Sequence, residues 1–134
     1  MTPEIAQQAL QEYFAEWVRA LDLTITEISP QCAVLQMPLG QHLKRVGGIV
    51  SGQVLAALAD TAMVFAGFGF AGEFKPFATT DLHVQFLRPG SGSAIICKAE
   101  VVRAGKALVF ARATMTCADS DKPVATATAT MFLP

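Results

Sequence analysis

Residues 54–72 carry a single ionisable side chain, Asp60, in nineteen consecutive positions, and no other feature of the chain limits its fold so sharply. Val54, Leu55, Leu58, Met63, Val64 and Phe65, with alanines between them, leave no polar face wide enough for water. Residues 51–66 therefore predict a helix buried nearly all round. A membrane could bury such a run, but a carboxylate at the centre of a span costs about 2.5 to 3.5 kcal/mol. The flanking sequence reads as a sheet protein, so the expectation is that the rest of the chain wraps the helix.

The remaining sequence supplies that wrapping. From residue 79 the apolar period changes to two, giving four strands at 79–88, 94–103, 107–117 and 124–133, with connectors at 89–93, 104–106 and 119–122 that read as hairpin turns. Ala125, Ala127 and Ala129 alternate with Thr126, Thr128 and Thr130, which lines one face with small side chains against which a helix can lie close. Upstream, Ser29-Pro30-Gln31 separates two short strands at 23–28 and 32–37. Ile5, Leu10, Tyr13, Phe14, Trp17, Val18 and Leu21 recur near a 3.6-residue period, predicting an amphipathic helix over 3–21 that Thr2 caps and Pro3 opens. The expectation is a single α+β domain over 1–134, a curved antiparallel sheet enclosing a long apolar helix with an extra N-terminal helix.

Composition narrows the functional classes. Ten basic against eleven acidic side chains offer no cationic footprint for nucleic acid or anionic lipid, and 52% hydrophobic residues exclude disorder. Cys32, Cys97 and Cys117 form no C-x-x-C pair, so neither a zinc site nor a disulfide framework is expected. The opening Met1-Thr2-Pro3-Glu4 lacks a basic, apolar leader, and the expected compartment is the cytoplasm.

Gly67 to Gly72 spells G-x-G-x-x-G, but it ends a helix rather than opening one, so it reads as a C-cap and loop. His42 and His83 have no ligand or triad spacing, and His83 reads as a sheet-surface residue. Asp60 differs, because a carboxylate on an apolar helix with no Lys or Arg one turn away is costly unless it works. At the other end of the same helix, Ser51 suits the N-cap and Gly52 and Gln53 would hold free N–H groups, an anion or carbonyl site; Gly47-Gly48 lets the preceding loop come close to a ligand. Gly52 and Asp60 are eight residues, or about 12 Å, apart on one helix. Reacting groups must approach within about 3 to 3.5 Å, so if both act on one carbonyl they come from different subunits of a symmetric dimer.

The run from Gly47 through Ser51-Gly52-Gln53 to Leu58-Ala59-Asp60-Thr61-Ala62, followed by Thr79-Thr80-Asp81 with Phe86-Leu87-Arg88-Pro89 and by Gly105-Lys106, resembles the hotdog-fold acyl-CoA thioesterases of the PaaI-like group over residues 40–133. The resemblance implies a hotdog fold and hydrolysis of an aromatic or short- to medium-chain acyl-CoA without metal or other cofactor. It places Gly52 where an amide polarises the thioester carbonyl, Asp60 at the catalytic nucleophile or base, and Thr79 at a supporting hydroxyl. Ser51 and Gln53 fall at the substrate, with Arg45 and Arg88 among the cations, alongside Lys44, Arg103 and Lys106, that could meet CoA phosphates. It also implies a homodimer, paired into a tetramer. Three positions depart from the family pattern: Ser51 replaces a His, Gln53 a Gly, and Arg45 an Asn. The competing readings are a hotdog protein that binds acyl-CoA or another apolar ligand without turnover and, behind it, a hydratase, for which neither His sits in the matching motif.

Overall fold

Thr2 Oγ1 accepts from the Ile5 N–H at 3.2 Å and Pro3 occupies the first turn, so the amphipathic segment begins as expected, as α1 (Pro3–Tyr13). The structure, a computed structural model describing residues 1–134, corrects its length. Instead of one helix over 3–21, the chain turns extended at Phe14 and Ala15 before a single turn, α2 (Glu16–Arg19). Nothing in the sequence marks this break, which lets Phe14 swing inward and stack on Phe65 at 5.2 Å between ring centroids.

Six strands follow the expected boundaries within about two residues: β1 (Thr24–Ile28), β2 (Ala33–Pro38), β3 (Ala78–Phe86), β4 (Ala94–Ala104), β5 (Leu108–Cys117) and β6 (Pro123–Phe132). They form one antiparallel sheet in the order β1-β2-β4-β5-β6-β3. Register shifts in β1, β3, β4 and β5 help bend it around its contents. The connectors after β4 and β5 are hairpins, but residues 87–93 are not, since β3 pairs with β6 and lies at the far edge. That segment instead carries the chain back past the start of the long helix: the Val50 N–H donates to Gly90 O at 3.0 Å and the Leu39 N–H to Ser93 O at 2.9 Å.

The apolar run is α3 (Gly52–Ala71), which packs against all six strands. Its seat is the small-residue face read from the sequence. Ala33, Ala99, Ala113 and Ala127 stand in register on four neighbouring strands, all buried, and allow the helix axis to approach the sheet. Phe65, Phe68, Leu58 and Met63 are fully buried against it, each contributing roughly 1.5 to 3 kcal/mol of transfer free energy.

α3 runs five residues beyond the expected end at 66, through Gly67 and Gly69. Both glycines weaken a helix, yet each is required by a close neighbour: a Cβ on Gly67 would lie 2.6 Å from the Phe77 ring, and one on Gly69 would lie 2.5 Å from the Ser29 carbonyl oxygen. The C-cap is Gly72 alone, at φ +80°.

The expectation of a helix buried all round also needs correction. The helix is long and apolar enough to cross a membrane, but 61% of its most apolar window is buried in this fold. A stripe through Gln53, Ala57, Asp60 and Val64 is left open or half-open, because sheet and N-terminal segment together do not close around it. β3 beside it is equally bare, with Leu82 37% and Phe86 56% exposed. The two sheet edges differ. The Gln7 amide group donates to Leu23 O at 2.8 Å and accepts from the Ile25 N–H at 3.0 Å, so α1 occupies the edge beside β1, whereas the outer edge of β3 carries no strand.

Candidate active site

Asp60 stands at the middle of α3, on the half-open stripe. Thr79, at the start of β3 next to its register shift, donates its hydroxyl hydrogen to Asp60 Oδ1 at 2.6 Å. This bond anchors one carboxylate oxygen and leaves Oδ2 free. The two residues open on a cleft of about 360 Å³ walled by Tyr13, Phe14, Val64, Phe68, Phe74 and Phe77. Lys75 also borders the cleft, but its ammonium is paired with Glu73 at 2.8 Å. That hydrogen bond and charge hold the Glu73 carboxyl below the usual carboxylate range, and Asp60 has no cation of its own.

Gly52 opens α3 at the opposite end of the helix. Ser51 is the N-cap, and its hydroxyl oxygen accepts from the Val54 N–H at 3.3 Å. No acceptor in the chain takes the N–H of Gly52 or Gln53, so a first-turn donor is available without breaking any bond. Gly52 faces a second cleft, of about 410 Å³, bordered by Arg45, Val50, Leu55, Phe86 and Arg88. The Phe86 ring lies so close that a Cβ at position 52 would stand 3.1 Å from it and would need the ring to shift by a few tenths of an ångström. Arg45 and Arg88 each give one guanidinium N–H to a backbone oxygen, that of Val46 at 2.9 Å and that of Pro123 at 2.7 Å, and keep further donors free. Gly47 and Gly48 hold the preceding loop in its turn at φ +98° and +76°.

The residues singled out in the sequence therefore fall into separate groups. Asp60 and Thr79 come together, and Gly52 gathers Arg45 and Arg88. Gln53 points elsewhere, into a groove with Trp17, His42 and Leu43. His83 lies exposed on the sheet opposite Thr128, Lys44 makes a backbone bridge to Val50, and Arg103 and Lys106 sit around the β4–β5 turn. Of the neighbouring aromatic residues, Phe68, Phe74 and Phe77 line the Asp60 cleft, Phe65 is core, and Phe70 and Trp17 are outside it. Sequence reasoning missed Tyr13 and Phe14, which reach the cleft only because α1 breaks, and Phe86, whose contact with Gly52 spans 34 residues of chain. No three His, Cys, Asp or Glu side chains converge as a metal-ligand set.

Comparison with known proteins bears on this arrangement. The family model for the acyl-CoA thioesterase N-terminal domain matches residues 38–132, which contain α3, β3 and both clefts. The chain belongs to this thioesterase family. It is accordingly a thioester hydrolase with a hotdog fold. A Thermoplasma acidophilum protein provisionally named an esterase is 25% identical over 99 residues, covering 70% of each chain. Among solved structures, a Haemophilus influenzae thioesterase superposes with a TM-score of 0.86 at 20% identity, covering 100% of this chain and 91% of its own. Zebrafish thioesterase superfamily member 2 gives 0.84 at 20%, covering 98% and 95%. At these identities the two structures attest the fold of the thioesterase and not its substrate.

Proposed function

We propose that the thioesterase hydrolyses an aromatic or short- to medium-chain acyl-CoA at a composite site, formed by the Gly52 end of one α3 and the Asp60 cleft of a second copy. The observation that carries this reading is the separation of the two groups: one free amide and one anchored carboxylate, in different clefts and about 12 Å apart along a single helix. Pairing of two β3 edges would continue the sheet, cover the bare strand and bring each Asp60 stripe against another subunit. The occupied β1 edge leaves β3 as the edge for such pairing. Leu108, Phe110 and Phe132, exposed on the outer face of the sheet, favour a further pairing of dimers.

In this site the Gly52 N–H, at the positive end of a twenty-residue helix, polarises the thioester carbonyl and stabilises the oxyanion that forms on it. Asp60 either attacks the carbonyl carbon or takes a proton from a water that attacks it, while the Thr79 hydroxyl fixes its orientation. The C–S bond then breaks, and CoA leaves as the thiolate and is protonated; on the water route the acyl group leaves directly as the carboxylic acid, and on the nucleophilic route it stays on Asp60 as a mixed anhydride until a water hydrolyses it and restores the carboxylate. Arg45 and Arg88, at the mouth of the Gly52 cleft, face the CoA phosphates. Ser51 spends its hydroxyl on the cap and leaves the Gly52 amide open, so replacement of the family His does not block the donor.

Thiol release from a panel of aromatic, short-chain and medium-chain acyl-CoAs, measured for wild type and Asp60→Ala, tests the proposal. The expected result is turnover that falls about 10² to 10⁴-fold in the variant. Undiminished turnover in Asp60→Ala would overturn the mechanism. Tight acyl-CoA binding with the thioester intact after hours would replace hydrolysis with ligand binding.

A further inference from the structure

Tyr13 ends α1 and Phe74 follows the C-cap of α3, and their rings stack with centroids 4.1 Å apart and planes 25° apart. Both rings border the Asp60 cleft, and both also border a second cleft of about 270 Å³ between α1 and the turn after α3, where Met1, Ile5 and Ala9 supply an apolar wall. The stacked pair is thus a partition between two adjoining cavities. We propose that this partition sets the length of the acyl group the protein accepts, with Tyr13 and Phe74 as its specificity-determining residues. The inference rests on the reading that the Asp60 cleft receives the acyl group.

Three observations support a role in selection over one in folding. The rings are 53% and 37% exposed, unlike the buried Phe65 and Phe68 behind them, so the core does not depend on the stack. The position of Tyr13 is fixed from below, by Ala6, Ala9 and Leu10 in the core and by the Gln7 bonds to β1, and its own ring is left free to serve as a wall. The cavity behind it is apolar on the α1 side, which suits the continuation of an alkyl chain, with Gln8 and Glu12 at its rim. A chain growing from Asp60 gains contact with each methylene until it meets the stack, after which further carbons must bend back toward water.

Non-hydrolysable S-alkyl-CoA thioethers of increasing chain length, titrated calorimetrically into wild type, Tyr13→Ala, Phe74→Ala and Tyr13→Phe, test the inference alongside hydrolysis of the matching acyl-CoAs. In wild type the affinity should rise about fourfold per methylene and then level off. In Tyr13→Ala and Phe74→Ala the plateau should move out by about two methylenes or more, into space that an aromatic ring had filled, while Tyr13→Phe keeps the wild-type plateau. An identical plateau in all four proteins, or no dependence on chain length in wild type, would overturn it. Hydrolysis with an unmoved chain-length profile would remove the partition and leave the thioesterase mechanism standing. A moved plateau with no thiol release from any acyl-CoA would do the reverse.

Discussion

Gly52→Pro removes the amide hydrogen of the proposed site and puts the ring carbon Cδ in its place. The backbone N–H of Gly52 has no partner, the position opens α3, and proline is favoured at the first residue of a helix, where its missing N–H costs nothing. Ser51 precedes it at φ −69° and ψ 144°, within the region that a following proline demands. A Cβ at this position stands 3.1 Å from the Phe86 ring, which must give way by a few tenths of an ångström. Folding should survive, while loss of one oxyanion donor, with a ring carbon in the way of the carbonyl, should lower kcat by at least about 10² to 10³-fold, equivalent to about 2.7 to 4 kcal/mol of barrier for the donor alone. The decisive assay pairs this variant with Asp60→Ala. In a heterodimer of the two, one site would combine the intact Gly52 of the Asp60→Ala subunit with the intact Asp60 of the Gly52→Pro subunit, and the other site would lack both groups. Two nearly inactive parents should therefore give a doubly tagged heterodimer with about half the wild-type activity, or about a quarter in an unsorted equal mixture. A purified heterodimer as inactive as its parents would refute the reasoning that helix geometry divides the two groups between subunits.

Two further outcomes concern stability. Gly69→Ala should lower the Tm even though alanine is the better helix former by about 1 kcal/mol, because the new methyl would stand 2.5 Å from the Ser29 carbonyl oxygen and overpacking costs about 1 to 3 kcal/mol; a raised Tm would show that this backbone contact yields easily. Burial pushes the Cys97 thiol from an ordinary 9.0 up to about 12, so the unfolded chain ionises this group first as pH rises. The contribution is fully present below pH 9 and is lost toward pH 12, at about 1.4 kcal/mol per pH unit in between. Denaturant unfolding at pH 8 and pH 11 should show wild type losing more stability than Cys97→Ala by about 2 to 3 kcal/mol; equal losses would count against a buried neutral thiol.

The sequence by itself determined what depends on spacing along one element. The helix over residues 51–66, the period-two strands and the alanine face of β6 are local patterns, and each was legible because the period of apolar side chains follows directly from backbone geometry. The eight-residue interval between Gly52 and Asp60 is local as well, and the proposal that two subunits share the site starts from it. Tertiary structure alone decided what depends on contacts between distant segments. The placement of β3 beside β6 turned an expected hairpin at 89–93 into a crossing, since many strand orders satisfy the same alternation and only packing against α3 selects among them. Gly67 and Gly69 read as helix breakers until Phe77 and Ser29 are seen to occupy the space their side chains would need. The break after Tyr13 has no local signature; the site for Phe14 against Phe65 outweighs the helical preference of the residues around it, and so brings Tyr13 to Phe74. Local propensities of a few tenths of a kcal/mol per residue yield to the burial of a whole aromatic ring, and for that reason the Tyr13 and Phe14 walls of the Asp60 cleft could be seen only in the folded chain.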